Sequence, residues 1–304
     1  MLRKKRVIIG ARGSRLSIIQ AKEIISLLKK KFAGYTFGLK KIVTSGDKNK
    51  TWQYNDRGIF IKEIEEALLS GKIDLAVHSL KDLPTKIPPG LRLAGITKRE
   101  SPYDCIIFRK ETAFSRLEKG AIIGTGSLRR KSQLLNLRPD LKIKNLRGNL
   151  DTRIKKLKNG GFDAIVAAMA GIKRLGYKNL SLECLPPEIM LPAAGQGALG
   201  IEIRIKDKTA ENFAKILTDL DTLRCVTSER TFLKETGAGC RLPVGALAQI
   251  KNHRLFFAAV VAGLDGKKII RVQRQGKPSE AKNIGKSCAR EILKKGAQEI
   301  LHKR

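Results

Sequence analysis

A short apolar run, Ala76-Val-His-Ser-Leu80, delivers a lysine and an aspartate, Lys81 and Asp82, just before Pro84. A carboxylate beside an ammonium stays ionised. At the mouth of a pocket it serves as a general acid/base or as a stabiliser of positive charge; on an open surface it is an ordinary ion pair. His78, ahead of the turn, reads more simply as a packed, hydrogen-bonded residue. A second segment, Gly237-Ala-Gly-Cys-Arg-Leu-Pro-Val-Gly245, sets Cys240 on a glycine-framed loop beside Arg241. A cysteine so placed is accessible and its thiol is readily deprotonated. No histidine stands nearby to make a hydrolase pair, so a covalent attachment point is its more natural role.

Three further segments gather cations at strand-to-helix turns. Gly10-Ala-Arg-Gly-Ser-Arg15 offers Arg12, Ser14 and the free N–H groups of a helix start; a simple structural turn accounts for it equally well. Gly124-Thr-Gly-Ser-Leu-Arg-Arg130 repeats the design with Ser127, Arg129 and Arg130. Cations are disfavoured in a first helical turn, so two arginines there suggest a bound anion that offsets them, against the plainer reading of a solvated surface. Leu146-Arg-Gly-Asn-Leu-Asp-Thr-Arg153 flanks its turn with Arg147 and Arg153, whose guanidinium forks suit carboxylates or phosphates.

These segments need a scaffold. The chain has 304 residues, enough for about two domains or three small ones, each with a core of its own. Strand patterns at 7–10, 39–44 and 74–78 alternate with helical periodicity at 16–28 and 60–69. The order restarts with strands at 121–124, 142–146 and 164–168 and helices at 127–137, 150–158 and 170–175. A strand at 199–205 and a helix at 210–217 follow. The remainder changes character: a helix at 222–235, an antiparallel meander at 244–250, 255–263 and 268–274 turned at Asp265-Gly266, and a terminal helix over 279–302. The fold class is α/β, with two lobes on mostly parallel sheets and a small α+β third domain. Loops leaving the carboxyl ends of such strands are where ligands bind, and the cationic segments sit there.

Composition narrows the function. Lys and Arg number 62 against 28 Asp and Glu, a net charge of +34 spread along the whole chain. That suits polyanionic partners, an anionic substrate, or simply a cationic solvated surface. Aromatic residues are only 5% and no zinc-finger spacing occurs, so a dedicated nucleic-acid reader is disfavoured, while nonspecific, salt-sensitive binding is compatible with the charge. Five cysteines without a CxxC pair, and three histidines, argue against a disulfide framework or a metal centre. No stretch reads as a signal peptide or membrane span, so a cytoplasmic protein without membrane attachment is expected.

Taken in order, the motifs IGARGSRLSIIQA (9–21), VTSGD (43–47), RGIFIKEIEEALL (57–69), AVHSLKDLP (76–84), GTGSLRR (124–130), LRGNLDTR (146–153), AGIKRLG (170–176), LPAAGQGALGIE (191–202) and GAGCRLPVG (237–245) resemble the porphobilinogen deaminase (hydroxymethylbilane synthase) family over nearly the whole chain. The resemblance implies two periplasmic-binding-protein-like lobes, 1–98 with 198–218 and 99–197, and a C-terminal domain over 219–304. It implies a dipyrromethane cofactor held by a thioether to Cys240, a monomer, and head-to-tail condensation of four porphobilinogen molecules with loss of ammonia. On that reading Asp82 is catalytic. Lys81, Ser127, Arg129 and Arg130 join Asp82 and Cys240 in binding the cofactor, and Arg12, Ser14, Arg147, Arg153, Arg174 and Gln196 bind substrate. The rival from another class is a two-lobed anion-binding protein without catalysis, which keeps the arginines but has no use for Asp82 or Cys240.

Overall fold

The computed structural model describes residues 5–44, 61–238 and 242–302. They form two compact units, one of residues 1–99 and 198–223, the other of 100–197 and 224–304.

The first unit begins with strand β1 (Lys5–Arg12), helix α1 (Arg15–Lys31), strand β2 (Tyr35–Ile42), helix α2 (Lys62–Leu69), strand β3 (Leu75–Ser79) and strand β4 (Leu91–Ile96). Ser14 caps α1, its hydroxyl accepting the Ser17 N–H, and Lys29, Lys30 and Lys31 occupy the last turn, where the helix dipole favours cations. β1 runs parallel to β2 and to β3.

The second unit holds β5 (Asp104–Phe108), β6 (Ile122–Gly124), α3 (Leu128–Leu137), β7 (Lys142–Lys144), α4 (Leu150–Lys158), β8 (Ala164–Ala168), α5 (Met169–Leu175) and β9 (Leu182–Leu185). The chain then returns to the first unit as β10 (Leu199–Arg204) and α6 (Lys208–Leu217). β10 lies antiparallel between β3 and β4, giving the order β2-β1-β3-β10-β4. The second sheet, β7-β6-β8-β5-β9, has the same plan: three parallel strands, then β5 antiparallel between β8 and β9.

In the first unit both sheet faces are covered. Leu75, Val77 and Ile201 pack with Ala21, Ile24 and Leu28 of α1 and Phe213 of α6. Ala76, between them in sequence, turns to the other face with Ile64 and Leu68 of α2, as the two-residue period of a strand requires. Phe213 meets Phe32, Tyr35 and Phe37 edge-on at 4.7, 5.1 and 5.4 Å.

The rest of the second unit is helix α7 (Leu220–Glu235), which starts in the first unit, an antiparallel sheet of β11 (Val244–Lys251), β12 (Arg254–Ala262) and β13 (Ile269–Gly276), and helix α8 (Ala281–Ile292). Phe232 of α7 and Cys288 and Ile292 of α8 cover one face of this sheet. Leu247 and Val260 on the other face pack on Leu191. The buried Glu229 carboxylate ties three segments, accepting the N–H of Gly195 at 2.6 Å and of Ala248 at 2.8 Å. Gly197 must be glycine: its φ is +92°, and a Cβ there would lie 2.2 Å from the Glu100 carbonyl oxygen.

The expected class, two α/β lobes and a small α+β domain, is what the chain adopts. Three strands escaped the sequence reading: β4, β5 and β9. The second strand starts at Tyr35, earlier than the expected position 39. The terminal helix is broken after Ile292, where Gly296 takes φ +90° inside a π-helical turn. Part of the cationic excess guards sheet edges. Lys40 and Lys41 lie exposed on β2, Lys142 and Lys144 on β7, and Arg274 on β13, each strand being outermost in its sheet. Charge on an edge strand discourages pairing with other chains.

Candidate active site

β3 ends in a single 3-10 turn, Leu80–Asp82. Leu80 and Leu83 are both buried, and the Leu80 N–H is held by the Ala198 carbonyl at 3.1 Å. Two buried leucines thus anchor the turn and leave Lys81 half-buried and Asp82 exposed. Arg12 is the last residue of the neighbouring parallel strand β1, and Ser14 caps the helix that follows it. All four residues therefore lie at the carboxyl edge of the first unit's sheet.

The second unit repeats the arrangement. Ser127 caps α3 after β6, accepting the Arg130 N–H at 3.4 Å. Arg147 follows β7, and Asn149 caps α4 by accepting the Thr152 N–H at 2.9 Å. Arg153 donates from Nε to the Gly148 carbonyl at 2.8 Å, and Arg174 donates to the Gly197 carbonyl at 3.1 Å. Arg147, Arg153 and Arg174 are half-buried.

Arg129, Arg130 and Gln196 turn inward instead. All three donate to one carboxylate, Asp104, which is fully buried at the start of β5. Arg129 Nη1 reaches Asp104 Oδ2 at 2.6 Å and the Leu191 carbonyl at 2.8 Å. Arg130 donates to Oδ1 from Nη2 at 2.7 Å and to the Val166 carbonyl from Nη1 at 2.9 Å. Gln196 Nε2 donates to Oδ1 at 2.9 Å. Burial alone would push the Asp104 carboxyl up. The charges of Arg129 and Arg130, with their hydrogen bonds, outweigh it and hold the group well below the usual carboxylate range. The offsetting anion expected as a bound ligand at Arg129 and Arg130 is instead the protein's own Asp104 carboxylate. It balances only one of the two guanidinium charges.

Sequence reasoning missed Asp104. Its only signal is an acidic residue opening an apolar run, Asp-Cys-Ile-Ile-Phe. It also missed a second buried group in the first unit. His78 Nε2 lies 3.0 Å from Glu202 Oε2, both side chains nearly inaccessible, so the expected packed, hydrogen-bonded histidine is found. Glu202 Oε1 is buried with no hydrogen-bond partner among the described residues. Burial, reinforced by the Glu202 charge and only partly opposed by His78, raises Glu65 on α2 to about 7. A carboxyl raised on folding stabilises the fold at low pH and loses that contribution as it ionises. Stability of the protein is expected to fall as pH rises from about 4.5 to about 7. Urea unfolding at a series of pH values reads this. Glu65→Gln should flatten the fall, and an unchanged profile in the variant would contradict the assignment.

Cys240 lies outside the described residues, as do parts of the 43–47 and 57–69 motifs. Cys105, Cys184 and Cys288 are free thiols. No helix among the described residues is long and apolar enough to cross a membrane.

Comparison with known proteins bears on the whole arrangement. Residues 7–212 match the family model "Porphobilinogen deaminase, dipyromethane cofactor binding domain", and residues 223–294 match "Porphobilinogen deaminase, C-terminal domain". The porphobilinogen deaminase of Maridesulfovibrio salexigens is 45% identical, with 98% of this chain and 97% of that protein covered. That of Thermus thermophilus is 44% identical, with 97% and 98% covered. Among solved structures, the BvgS VFT2 domain of Bordetella pertussis is similar at 14% identity and a TM-score of 0.43, covering 70% of this chain and 86% of that one. With its two cationic strand-edge loop sets, its Lys81–Asp82 turn and matches to both family models, the chain belongs to the porphobilinogen deaminase family.

Proposed function

We propose that the protein condenses four porphobilinogen molecules head to tail, losing ammonia at each addition, and releases the linear tetrapyrrole hydroxymethylbilane by hydrolysis. This is a transferase reaction of tetrapyrrole biosynthesis. The observation that carries the reading is the Lys81–Asp82 turn, anchored by Leu80 and Leu83, within a segment matching the family's cofactor-binding domain.

The donor set suits a dipyrromethane, whose pyrrole rings bear acetate and propionate groups. Arg129 and Arg130 share one carboxylate, so a positive charge is left over beside the Ser127 cap. Arg147, Arg153 and Arg174 add half-buried guanidinium groups. Cys240 would hold the cofactor by a thioether, and Lys81, Asp82, Ser127, Arg129 and Arg130 would bind it. When bound, the cofactor supplies the pyrrole carbon at which the chain grows.

The protein's own residues do the rest. Arg12, Ser14, Arg147, Arg153 and Arg174 bind the carboxylates of incoming substrate and orient it, turning each addition into an effectively intramolecular step, while Gln196, expected from the sequence to bind substrate, is buried and holds the Asp104 carboxylate instead. Loss of ammonia leaves a cation on the substrate. The Asp82 carboxylate stabilises that positive charge and takes the proton released when the new bond forms.

A monomer in the cytoplasm, with no membrane attachment and no specific nucleic-acid partner, completes the reading. The free thiols of Cys105, Cys184 and Cys288 suit a reducing compartment. Incubation with porphobilinogen tests the reaction directly. Four ammonia molecules should appear for each tetrapyrrole released. Binding of porphobilinogen without ammonia would sink the enzyme reading and favour a non-catalytic anion-binding protein.

A further inference from the structure

Cys105 and Cys184 are register partners across β5 and β9. The Phe108 N–H donates to the Ser181 carbonyl at 2.8 Å, which sets the parity of this antiparallel ladder. Counting along the register, the Ile106–Glu183 and Asp104–Leu185 rungs carry ladder hydrogen bonds. The Cys105–Cys184 rung falls between them, at a non-hydrogen-bonded position. There the Cα atoms lie about 4.5 Å apart and the side chains approach most closely. That separation is within the range a disulfide spans. Partners on one rung also project to the same face of the sheet.

Two further observations agree. Burial pushes the Cys105 thiol up to about 12, and the Cys184 thiol adds to that rise, as expected of close neighbours. Access differs between the two: Cys105 is inaccessible, whereas Cys184 is exposed on β9, the outermost strand. Only Cys184 is open to a reagent from solution, and Cys105 is reached through its partner.

We propose that Cys105 and Cys184 form a cross-strand dithiol that small-molecule disulfides oxidise to an internal disulfide, fastening edge strand β9 to β5 beside Asp104. The Cys184 thiolate attacks one sulfur of the oxidant, breaking its S–S bond and releasing one thiol. Cys105 then loses its proton to solvent and attacks the Cys184 sulfur, and the second oxidant thiol leaves. Two protein thiols are oxidised and one small disulfide is reduced to two thiols. Both protein thiols lie above their ordinary range because of burial, so closure speeds up as pH rises. The same high values make them poor leaving groups, so the closed bond resists reduction. Neither step requires the proposed condensation activity.

The test uses the full chain, reduced and then exposed to oxidised glutathione at mildly alkaline pH. After acid quench, unfolding and alkylation, peptide mapping should show Cys105 joined to Cys184. The two thiols should vanish together, with a mass loss of about 2 Da for the two hydrogens. The closed loop is long, so Tm should rise by roughly 5 °C or more and fall back on reduction. Cys184→Ser, a change at an exposed position, should keep Cys105 as a free thiol throughout. A glutathione adduct persisting on Cys184, no oxidation of either thiol, or linkage through Cys225 or Cys288 instead would each overturn the proposal.

Discussion

Asp82→Ala is expected to lower porphobilinogen turnover by about three orders of magnitude while leaving the fold intact. The size follows from two effects assigned to one carboxylate. Proton transfer by a placed side chain contributes roughly 10²–10⁴-fold. Loss of a group aimed at developing charge costs on the order of 10²–10³-fold. The effects overlap because the same oxygens serve both, so the total stays below their product. Stability should barely move. Asp82 is exposed, and Leu80 and Leu83, which anchor its turn, are untouched. Asp82→Glu keeps the charge and should recover part of the rate. Single-turnover kinetics beside thermal unfolding checks both halves. A variant that unfolds, or one that retains near-normal turnover, would contradict the assignment of Asp82 to the chemistry.

Asp104→Ala should be the most destabilising single change in the second unit. It leaves Arg129 and Arg130 facing each other at about 5% exposure without their counter-charge. Breaking a buried ion pair by removing one partner typically costs about 3–5 kcal/mol. Gln196 loses an acceptor as well. Denaturant unfolding measures the loss directly. The pH dependence gives a second reading. The Asp104 carboxyl is depressed in the folded state, so its contribution is fully present above the ordinary carboxylate pKa. It is lost as pH falls below that value, towards the folded-state one. Wild-type protein should therefore lose stability in strong acid more steeply than Asp104→Asn. Equal acid profiles would show that the Asp104–Arg129–Arg130 cluster does not stabilise the fold.

Much of this architecture was legible from periodicity. α2 was readable because Ile64 and Leu68 alternate with charged residues at helical spacing. β3 was readable because 74–78 is a short, mostly apolar run ending in a polar turn. The missed strands lack such signals. β4 mixes Arg92 and Gly95 into a half-buried run. β9 has a charged and a polar member among only four residues, Leu-Glu-Cys-Leu. β5 is five residues, all buried, too short to separate from a buried loop by pattern alone. Its pairing partners, β8 and β9, come about 60 residues or more later, so nothing local marks it as a strand.

The site shows the same boundary between local and distant information. Gly-rich turns between a strand and a helix start announced the loops after β1 and β6, since such turns are local features. The dipole argument at Arg129 and Arg130 asked for a bound anion, whereas the counter-charge there is a side chain of the protein itself. It did not identify Asp104, which lies 25 residues upstream of Arg129 and meets it only through the sheet. Glu202, the hydrogen-bond partner of His78 from 124 residues away, was hidden for the same reason. Their contact depends on β10 returning to lie beside β3.

The account's central claim is a covalent primer on Cys240 that porphobilinogen units extend. Intact mass of the purified protein, beside a Cys240→Ser variant, tests it most directly. The expected result is an excess equal to one dipyrromethane in the wild type, absent from the variant, with further increments on brief exposure to porphobilinogen. A wild-type mass equal to the bare polypeptide, unchanged after incubation with porphobilinogen, would contradict it.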